Sequence, residues 1–558
     1  MNVKDYHLNF VTEEYGEDGI LKKFGIKCPD SFNYGYDIID KYGELEPDRR
    51  ALMWVDLEGN EKLLTFGDLS RLSNKAANMF LADGIGKGDC VMLTMKRNYQ
   101  FWYTLFALHK IGAIAIPATH LLTTKDFIYR FGAAEVKAVV ATHSAGVAHY
   151  VDEADLDLNC CLKKKYIVNG EREGWTSFDE EIEKYPDTLK RIPTKADEIF
   201  LLYFTSGTTG YPKMVVHDHR YALAHIQTAK HWQNVDPDGM HLTVSDTGWA
   251  KAAWGKLYGQ LAMGTCVFVY DFDKFIPENM LAVMQKYKIT TFCAPPTMFR
   301  FFIKAGVENY DLSSLKYCTI AGEALNPEVF NKWYEYTGIK LMEGFGQTES
   351  TCILGNITGM TPKAGSMGKP TPLYDVDLVD ADGNSVPPYT VGEIVVKGDY
   401  TNTPGLFRGY YKNAAITDEA WHDGMYHTGD TATRDEDGYY WYVGRNDDVI
   451  KSSGYRIGPF EIESVLIAHP AVLECAVTGA PDPIRGQIVK ATIVLAKGYE
   501  PSDELAKELQ NHVKKNTAPY KYPRQIEFVD ELPKTVSGKI RRTEIRRVDK
   551  EKYDNKQG

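Results

Sequence analysis

Tyr203-Phe204-Thr205-Ser206-Gly207-Thr208-Thr209-Gly210-Tyr211-Pro212-Lys213 runs an apolar strand into small, hydroxyl-bearing and glycine residues and ends on a lysine. Such a segment is suited to holding phosphate. Gly207 and Gly210 let backbone N–H groups turn toward phosphate oxygens, and the hydroxyls of Thr205, Ser206, Thr208 and Thr209 add donors. Lys213 supplies a mobile positive charge. The loop differs from a Walker loop, which needs lysine directly after the last glycine and then Ser or Thr; here Tyr211-Pro212 intervenes and Met214 follows. The segment therefore reads as an ATP-holding turn at the end of a strand in an α/β protein.

Five further motifs follow in order: Glu343-Gly344-Phe345-Gly346-Gln347-Thr348-Glu349, Tyr426-His427-Thr428-Gly429-Asp430, Gly444-Arg445-Asn446-Asp447-Asp448, Ser453-Gly454-Tyr455-Arg456-Ile457-Gly458 and Pro533-Lys534-Thr535-Val536-Ser537-Gly538-Lys539. With the first loop, this set resembles the adenylate-forming superfamily, and more closely its acyl-CoA synthetases of the medium-chain and branched-chain, 2-methylbutyrate-type group. The resemblance spans residues 37–547.

A chain of 558 residues exceeds what one hydrophobic core usually supports, and 44% hydrophobic content is ordinary for a globular protein. At least two domains are expected. The N-terminus opens no apolar run of signal-peptide length, and no uninterrupted apolar stretch approaches the roughly 18 residues of a membrane span, so a cytoplasmic enzyme is expected. Nine cysteines without a CxxC pair argue against a disulfide framework or a zinc site. Net charge is −12, yet residues 447–558 carry 19 Lys and Arg against 17 Asp and Glu. This locally basic tail suits a polyanion, while the acidic whole argues against nucleic acid. A homo-oligomer is compatible with the sequence.

Strand-like runs at Glu198–Thr205, Thr290–Ala294, Tyr317–Ala321 and Ile339–Glu343 alternate with helix-length segments such as Pro327–Tyr336, the rhythm of a layered α/β domain. Gly392–Gly398 reads as a strand of a β piece. The expected architecture is a large N-terminal domain, residues 1–446, of layered sheets and helices plus a β subdomain. A small mobile α+β C-terminal domain, residues 447–558, follows it. Asp447 matches the superfamily's hinge residue.

The resemblance implies a two-step reaction, in which a carboxylate attacks the α-phosphorus of ATP to give acyl-AMP and coenzyme A then displaces AMP. Thr205–Lys213 would hold the β- and γ-phosphates, and Glu349 would join the shell of a Mg²⁺ ion that bridges them. Asp430 would accept hydrogen bonds from both ribose hydroxyls, with Arg445 and Arg456 directed at the same nucleotide. Gly322, Glu323 and Ala324 would lie on one side of adenine and Phe345, within Glu343–Gln347, on the other. Thr348 would meet the α-phosphate. Lys539 would place a point charge on the carboxylate and α-phosphate during adenylation only. For the second step, Ser453, Gly454, Tyr455, Arg485, Tyr522 and Arg524 match the superfamily's coenzyme A contacts. The sequence ends 19 residues after Lys539, without room for a fused carrier domain, and free coenzyme A is the expected acceptor.

For the acyl pocket, Gly346 stands where acetate-specific relatives place a pocket-closing tryptophan, which implies more volume. Opposing this, Trp249, Lys251, Trp254 and Gly255 occupy the usual pocket wall, with Trp232 as a further wall. Lys251 and Trp254, three apart, share a face if the segment is helical. A short- to medium-chain acid is expected, branched acids first. An aromatic acid such as benzoate is the alternative, as is delivery of the acyl group to a separate carrier protein. His217, Asp218 and His219 read as structural, since no third ligand accompanies the two imidazoles.

Overall fold

The computed structural model describes residues 2–557 apart from 206–210, 324, 453–454, 484 and 536–538; for 456, 556 and 557 only the backbone is described.

Two large sheets carry the N-terminal part. One has seven strands, with Lys213–Asp218, Ile199–Thr205, Ile114–Pro117 and Cys90–Thr94 as successive neighbours. The other has nine and includes, in order, Leu341–Phe345, Tyr317–Ile320, Thr291–Ala294 and Met240–Thr243. Cys90–Thr94 and Ile114–Pro117 are buried at every position and pair in parallel, as strands covered on both faces by helices must be. The expected strands and the helix Pro327–Thr337 are present with ends moved by one or two residues. That helix shows why its ends were readable. The Asn326 side chain accepts from the Glu328 N–H at 2.8 Å, Pro327 occupies the first helical position, and Gly338 ends the helix at φ 69°.

A third, antiparallel sheet contains Asp375–Val379, Gly392–Lys397, Met425–Arg434 and Tyr440–Arg445. A separate C-terminal domain follows, whose sheet pairs Ile450–Ser452, Val472–Asp482, Gly486–Leu495 and Gln525–Phe528 under the helices Pro459–Ile467 and Asp503–Asn516. Its core, built on Ile450, Ile462, Val477, Ile493 and Leu509, is distinct from the cores of the large domain. Among the described residues, no helix is long and apolar enough to cross a membrane.

Candidate active site

The segment expected to hold phosphate lies between two paired strands. Ile199–Thr205 pairs antiparallel with Lys213–Asp218, and the register sets Thr205 opposite Lys213. Ser206, Gly207, Thr208, Thr209 and Gly210 lie outside the described residues. The C-terminal end of the segment is braced: Tyr211 stacks on Tyr129 at 4.8 Å, and the Tyr129 hydroxyl donates to the Pro212 carbonyl at 2.9 Å. Lys213 Nζ lies 4.9 Å from the centre of the Tyr410 ring. Tyr410 in turn donates to Glu349 Oε1 at 3.0 Å. Burial pushes the Glu349 carboxyl up, while Tyr410, Lys213 and Arg445 pull the other way.

Asp430 is buried and doubly held. Its Oδ2 accepts from Gln347 Nε2 at 2.5 Å and its Oδ1 from the Tyr442 hydroxyl at 3.0 Å; Arg445 Nε stands 3.9 Å from Oδ1. Burial raises the Asp430 carboxyl, and Arg445, Tyr442, Gln347 and the Lys539 charge oppose that rise. A carboxylate has about four acceptor sites, so two remain for further donors. Gln347 is itself fixed: its amide also donates to the Thr428 carbonyl at 2.8 Å and its oxygen accepts from the Tyr426 hydroxyl at 2.5 Å. Gln347 therefore joins the 343–349 segment to the Met425–Arg434 strand. Tyr442 and Tyr410 escaped the sequence reading, because a tyrosine carries no local sign of a carboxylate that a distant part of the chain brings to it.

Thr348 is held through its main chain. His217 Nε2 donates to the Thr348 carbonyl at 2.8 Å, and its ring stacks on Tyr221 at 3.7 Å. Burial pushes the imidazole down to about 3, so it stays neutral with the proton on Nε2. Asp218 pairs with Arg220 and Arg408.

On the side expected to face adenine, Gly322 is at φ 103° and the exposed Glu323 accepts from Thr297 Oγ1 at 2.6 Å. Ala324 lies outside the described residues. Glu343 is buried; its Oε1 accepts from the Leu325 N–H at 3.3 Å, its Oε2 has no partner among the described residues, and burial pushes the carboxyl up to about 8. Phe345 packs near Tyr442, with ring centres 6.4 Å apart.

The opposite face of the same strand bears on the acyl pocket. Gly344 and Gly346, two apart, point the same way. A Cβ on Gly344 would lie 2.5 Å from the Trp232 ring, and one on Gly346 would lie 2.6 Å from Trp254 Cζ2. The two indoles meet edge to face at 5.9 Å. The room expected at Gly346 is thus filled by Trp254, while Trp232 is a fully buried core residue behind it. Trp254 belongs to a π-helical turn, Ala253–Leu257, that follows a short α-helical turn, Ala250–Ala252. Its Nε1 donates to the Ser350 carbonyl at 3.1 Å. Lys251 does not run outward: Nζ donates to the Ala321 carbonyl at 2.7 Å, and burial, with the Lys539 charge, holds it below the usual lysine range. Trp249 is half-buried at the start of the turn. Gly255 instead seats the turn on the strand Met240–Thr243, where a Cβ would fall 2.5 Å from Thr243 Cβ.

Lys539 is exposed at a turn in which the Thr535 N–H donates to the Lys539 carbonyl at 2.8 Å. It is near enough for its charge to act on both Asp430 and Lys251. Of the coenzyme-facing candidates, Ser453, Gly454 and the Arg456 side chain lie outside the described residues. Tyr455 is exposed and stacks on Tyr520 at 4.2 Å. Arg524 donates to the Tyr522 hydroxyl at 2.9 Å, and Lys514 lies 4.0 Å from that ring. The Arg485 N–H donates to Asp482 Oδ1 at 2.7 Å. Arg445 Nε is 3.6 Å from Asp447 Oδ1, across the expected hinge.

The AMP-binding enzyme family matches residues 39–411, and its AMP-binding enzyme C-terminal domain matches residues 461–539. The chain belongs to this family. It is 40% identical, over 98% of its own length and 95% of the relative's, to the mitochondrial acyl-coenzyme A synthetase ACSM3 of Mus musculus. Among solved structures, the anthranilate CoA ligase AuaEII, crystallised with anthranoyl-AMP, matches at TM-score 0.85 and 28% identity, over 94% of this chain and 98% of that one. The acyl-CoA synthetase of Brucella canis matches at 0.72 and 33%, over 94% and 96%.

Proposed function

We propose that this acyl-CoA synthetase acts on a short- to medium-chain carboxylic acid, with branched acids such as 2-methylbutyrate or isobutyrate foremost. It joins the acid to coenzyme A in two ATP-dependent steps, through acyl-AMP, and releases pyrophosphate and AMP. The placement of Lys539 carries the assignment of residues: one charge bears on Asp430, beside the nucleotide, and on Lys251, at the acyl wall. The carboxylate and the α-phosphate are both anions and no general base is needed. Catalysis then consists of positioning and preorganised positive charge. Thr205 and Lys213 orient the terminal phosphates, Asp430 and Arg445 the ribose, and Thr348 the α-phosphate. Lys539 neutralises the approach of the carboxylate.

Glu349 suits a divalent cation: it is a buried hard-oxygen donor, and a bound cation would favour the charged carboxylate that burial disfavours. Among the described residues, no group of three or more acidic, histidine or cysteine side chains accompanies it. Mg²⁺ would therefore be held by Glu349 together with the nucleotide's own phosphates, where it would spread their charge. In the second step residues 447–558 would turn about Asp447, so that Tyr455, Tyr522, Arg524 and Arg485 present coenzyme A. Nine free cysteines fit a reducing compartment, and we read it as the cytoplasm, with a role in fatty acid metabolism. Fractionation tests that location.

The pocket wall of Trp254 and Lys251 supports the short acid. The likeness to a ligase of an aromatic acid supports benzoate-like substrates as a second reading. Pyrophosphate release measured across acetate, butyrate, 2-methylbutyrate, octanoate and benzoate separates them. Lys539→Ala should lower acyl-AMP formation by about 10²–10³-fold and leave thioester formation from supplied acyl-AMP largely intact. Equal loss of both steps refutes the role.

A further inference from the structure

The turn that bears Lys539 is followed by the helix Arg542–Gln557, and the first residue of that helix is anchored twice. Arg542 Nη2 donates to both oxygens of Glu463, each at 2.8 Å, and Nε adds a third contact at 3.3 Å. Glu463 lies in the helix Pro459–Ile467, is 5% exposed, and also accepts the Val477 N–H at 2.8 Å. The guanidinium reaches onward to Asp448, 3.8 Å away, and Asp448 also accepts from Arg546 one turn along the same helix. Asp448 is the residue directly after Asp447. On the other side of Asp447 stands Arg445, which faces Asp430.

We propose that Arg542 is a positioning residue for adenylation: held on Glu463 and Asp448, it makes the Lys539 turn and the exit of the hinge one rigid piece. The inference rests on the adenylation role assigned to Lys539. A bidentate arginine–carboxylate pair fixes direction as well as distance, and two arginines on one aspartate leave the backbone after residue 447 little freedom. Rotation is thereby confined to Asp447, and the angle turned there sets where the lysine arrives. A slack joint would leave the lysine charge displaced from the reacting oxygens, and a misplacement of about 1 Å is enough to cost roughly 10²-fold. Acyl transfer to the thiol does not use Lys539, and it should tolerate that slack.

The test compares Arg542→Gln, Arg542→Lys and Asp448→Asn in the full chain. Each half-reaction is followed separately: pyrophosphate release with acid and ATP, and thiol consumption with supplied acyl-AMP. Arg542→Gln is expected to lower the first by about 10- to 100-fold and the second by no more than about threefold, through kcat and not through the KM for ATP. Arg542→Lys, which keeps the charge but not the fork, should recover part of the loss. If Arg542→Gln does not fold, Asp448→Asn, which orphans no deeply buried acid, should show the same selective loss in weaker form. Equal falls in both half-reactions, or an unchanged first one in folded protein, overturn the proposal. Lys539→Ala is run alongside: if it spares adenylation, the lysine assignment fails, whereas if it abolishes adenylation and the Arg542 variants do not alter it, only this inference fails.

Discussion

Replacing Trp254 with glycine tests the acyl wall most directly. The indole fills the space over Gly346, its Nε1 holds the Ser350 carbonyl, and Trp232 stands edge-on behind it. Removing it opens a cleft between Lys251 and the strand Leu341–Phe345, without disturbing the Asp430 and Lys213 sides. Octanoate carries four more methylenes than butyrate. At about 0.8 kcal/mol for each methylene buried, full use of the new space amounts to about 3 kcal/mol, or about 200-fold in relative kcat/KM. The wild-type chain should favour butyrate and 2-methylbutyrate, and Trp254→Gly should move the octanoate-to-butyrate ratio up by one to two orders of magnitude, about 10- to 200-fold. Trp254→Leu should fall between.

The substitution has a structural cost of about 3–5 kcal/mol for a large-to-small change in a core, so the melting temperature must be measured first and the assays run well below it. The assay is acid-dependent pyrophosphate release at saturating ATP, with the ratio of two acids compared within one protein so that a partly unfolded fraction cancels. A wild-type preference for octanoate refutes the constricted pocket outright. An unchanged ratio in folded Trp254→Gly places the acyl chain elsewhere.

Glu343 should give the nucleotide-free chain a pH-dependent stability. Its folded value, about 8, lies above the ordinary 4.5, so the folded state holds the proton more tightly and stability is lost as pH rises from about 4.5 to 8. The slope is at most about 1.4 kcal/mol per pH unit, and thermal melts should show it shrink in Glu343→Gln. His217→Phe removes the donor to the Thr348 carbonyl and should cut adenylation kcat by about tenfold, roughly the 1–2 kcal/mol of an orphaned buried carbonyl. His217→Gln, which retains an amide donor, should retain more activity. Arg524→Ala should raise the KM for coenzyme A while ATP–pyrophosphate exchange continues unchanged; loss of exchange would remove Arg524 from the coenzyme surface. Tyr442→Phe takes one donor from Asp430, and a several-fold rise in the KM for ATP is expected, with the KM for the acid unmoved.

What the sequence made legible was local. The strand that ends at Thr205 could be read because its apolar run and the small residues after it are contiguous, and the helix Pro327–Thr337 because Asn326, Pro327 and Gly338 each mark an end by their own backbone chemistry. Gly346 alone left the pocket open to two answers for the opposite reason. A glycine reports only that its own side chain is missing; whether the space is open depends on what the distant segment Ala250–Leu257 delivers to it. That segment's change from α to π winding leaves no mark in composition, yet Lys251 bonds the Ala321 carbonyl and Trp254 reaches Gly346 from consecutive turns. The same holds for Tyr410 on Glu349, Tyr442 on Asp430 and His217 on Thr348, each joined across at least a dozen residues. Motif residues assigned to the reactants lie in short runs because a turn must aim several groups at one phosphate or sugar. The residues that hold those runs in place need only one contact each, and any element the fold brings near can supply it. The substrate choice proposed for this chain therefore rests on a pair, Gly346 and Trp254, whose members give opposite answers when read separately.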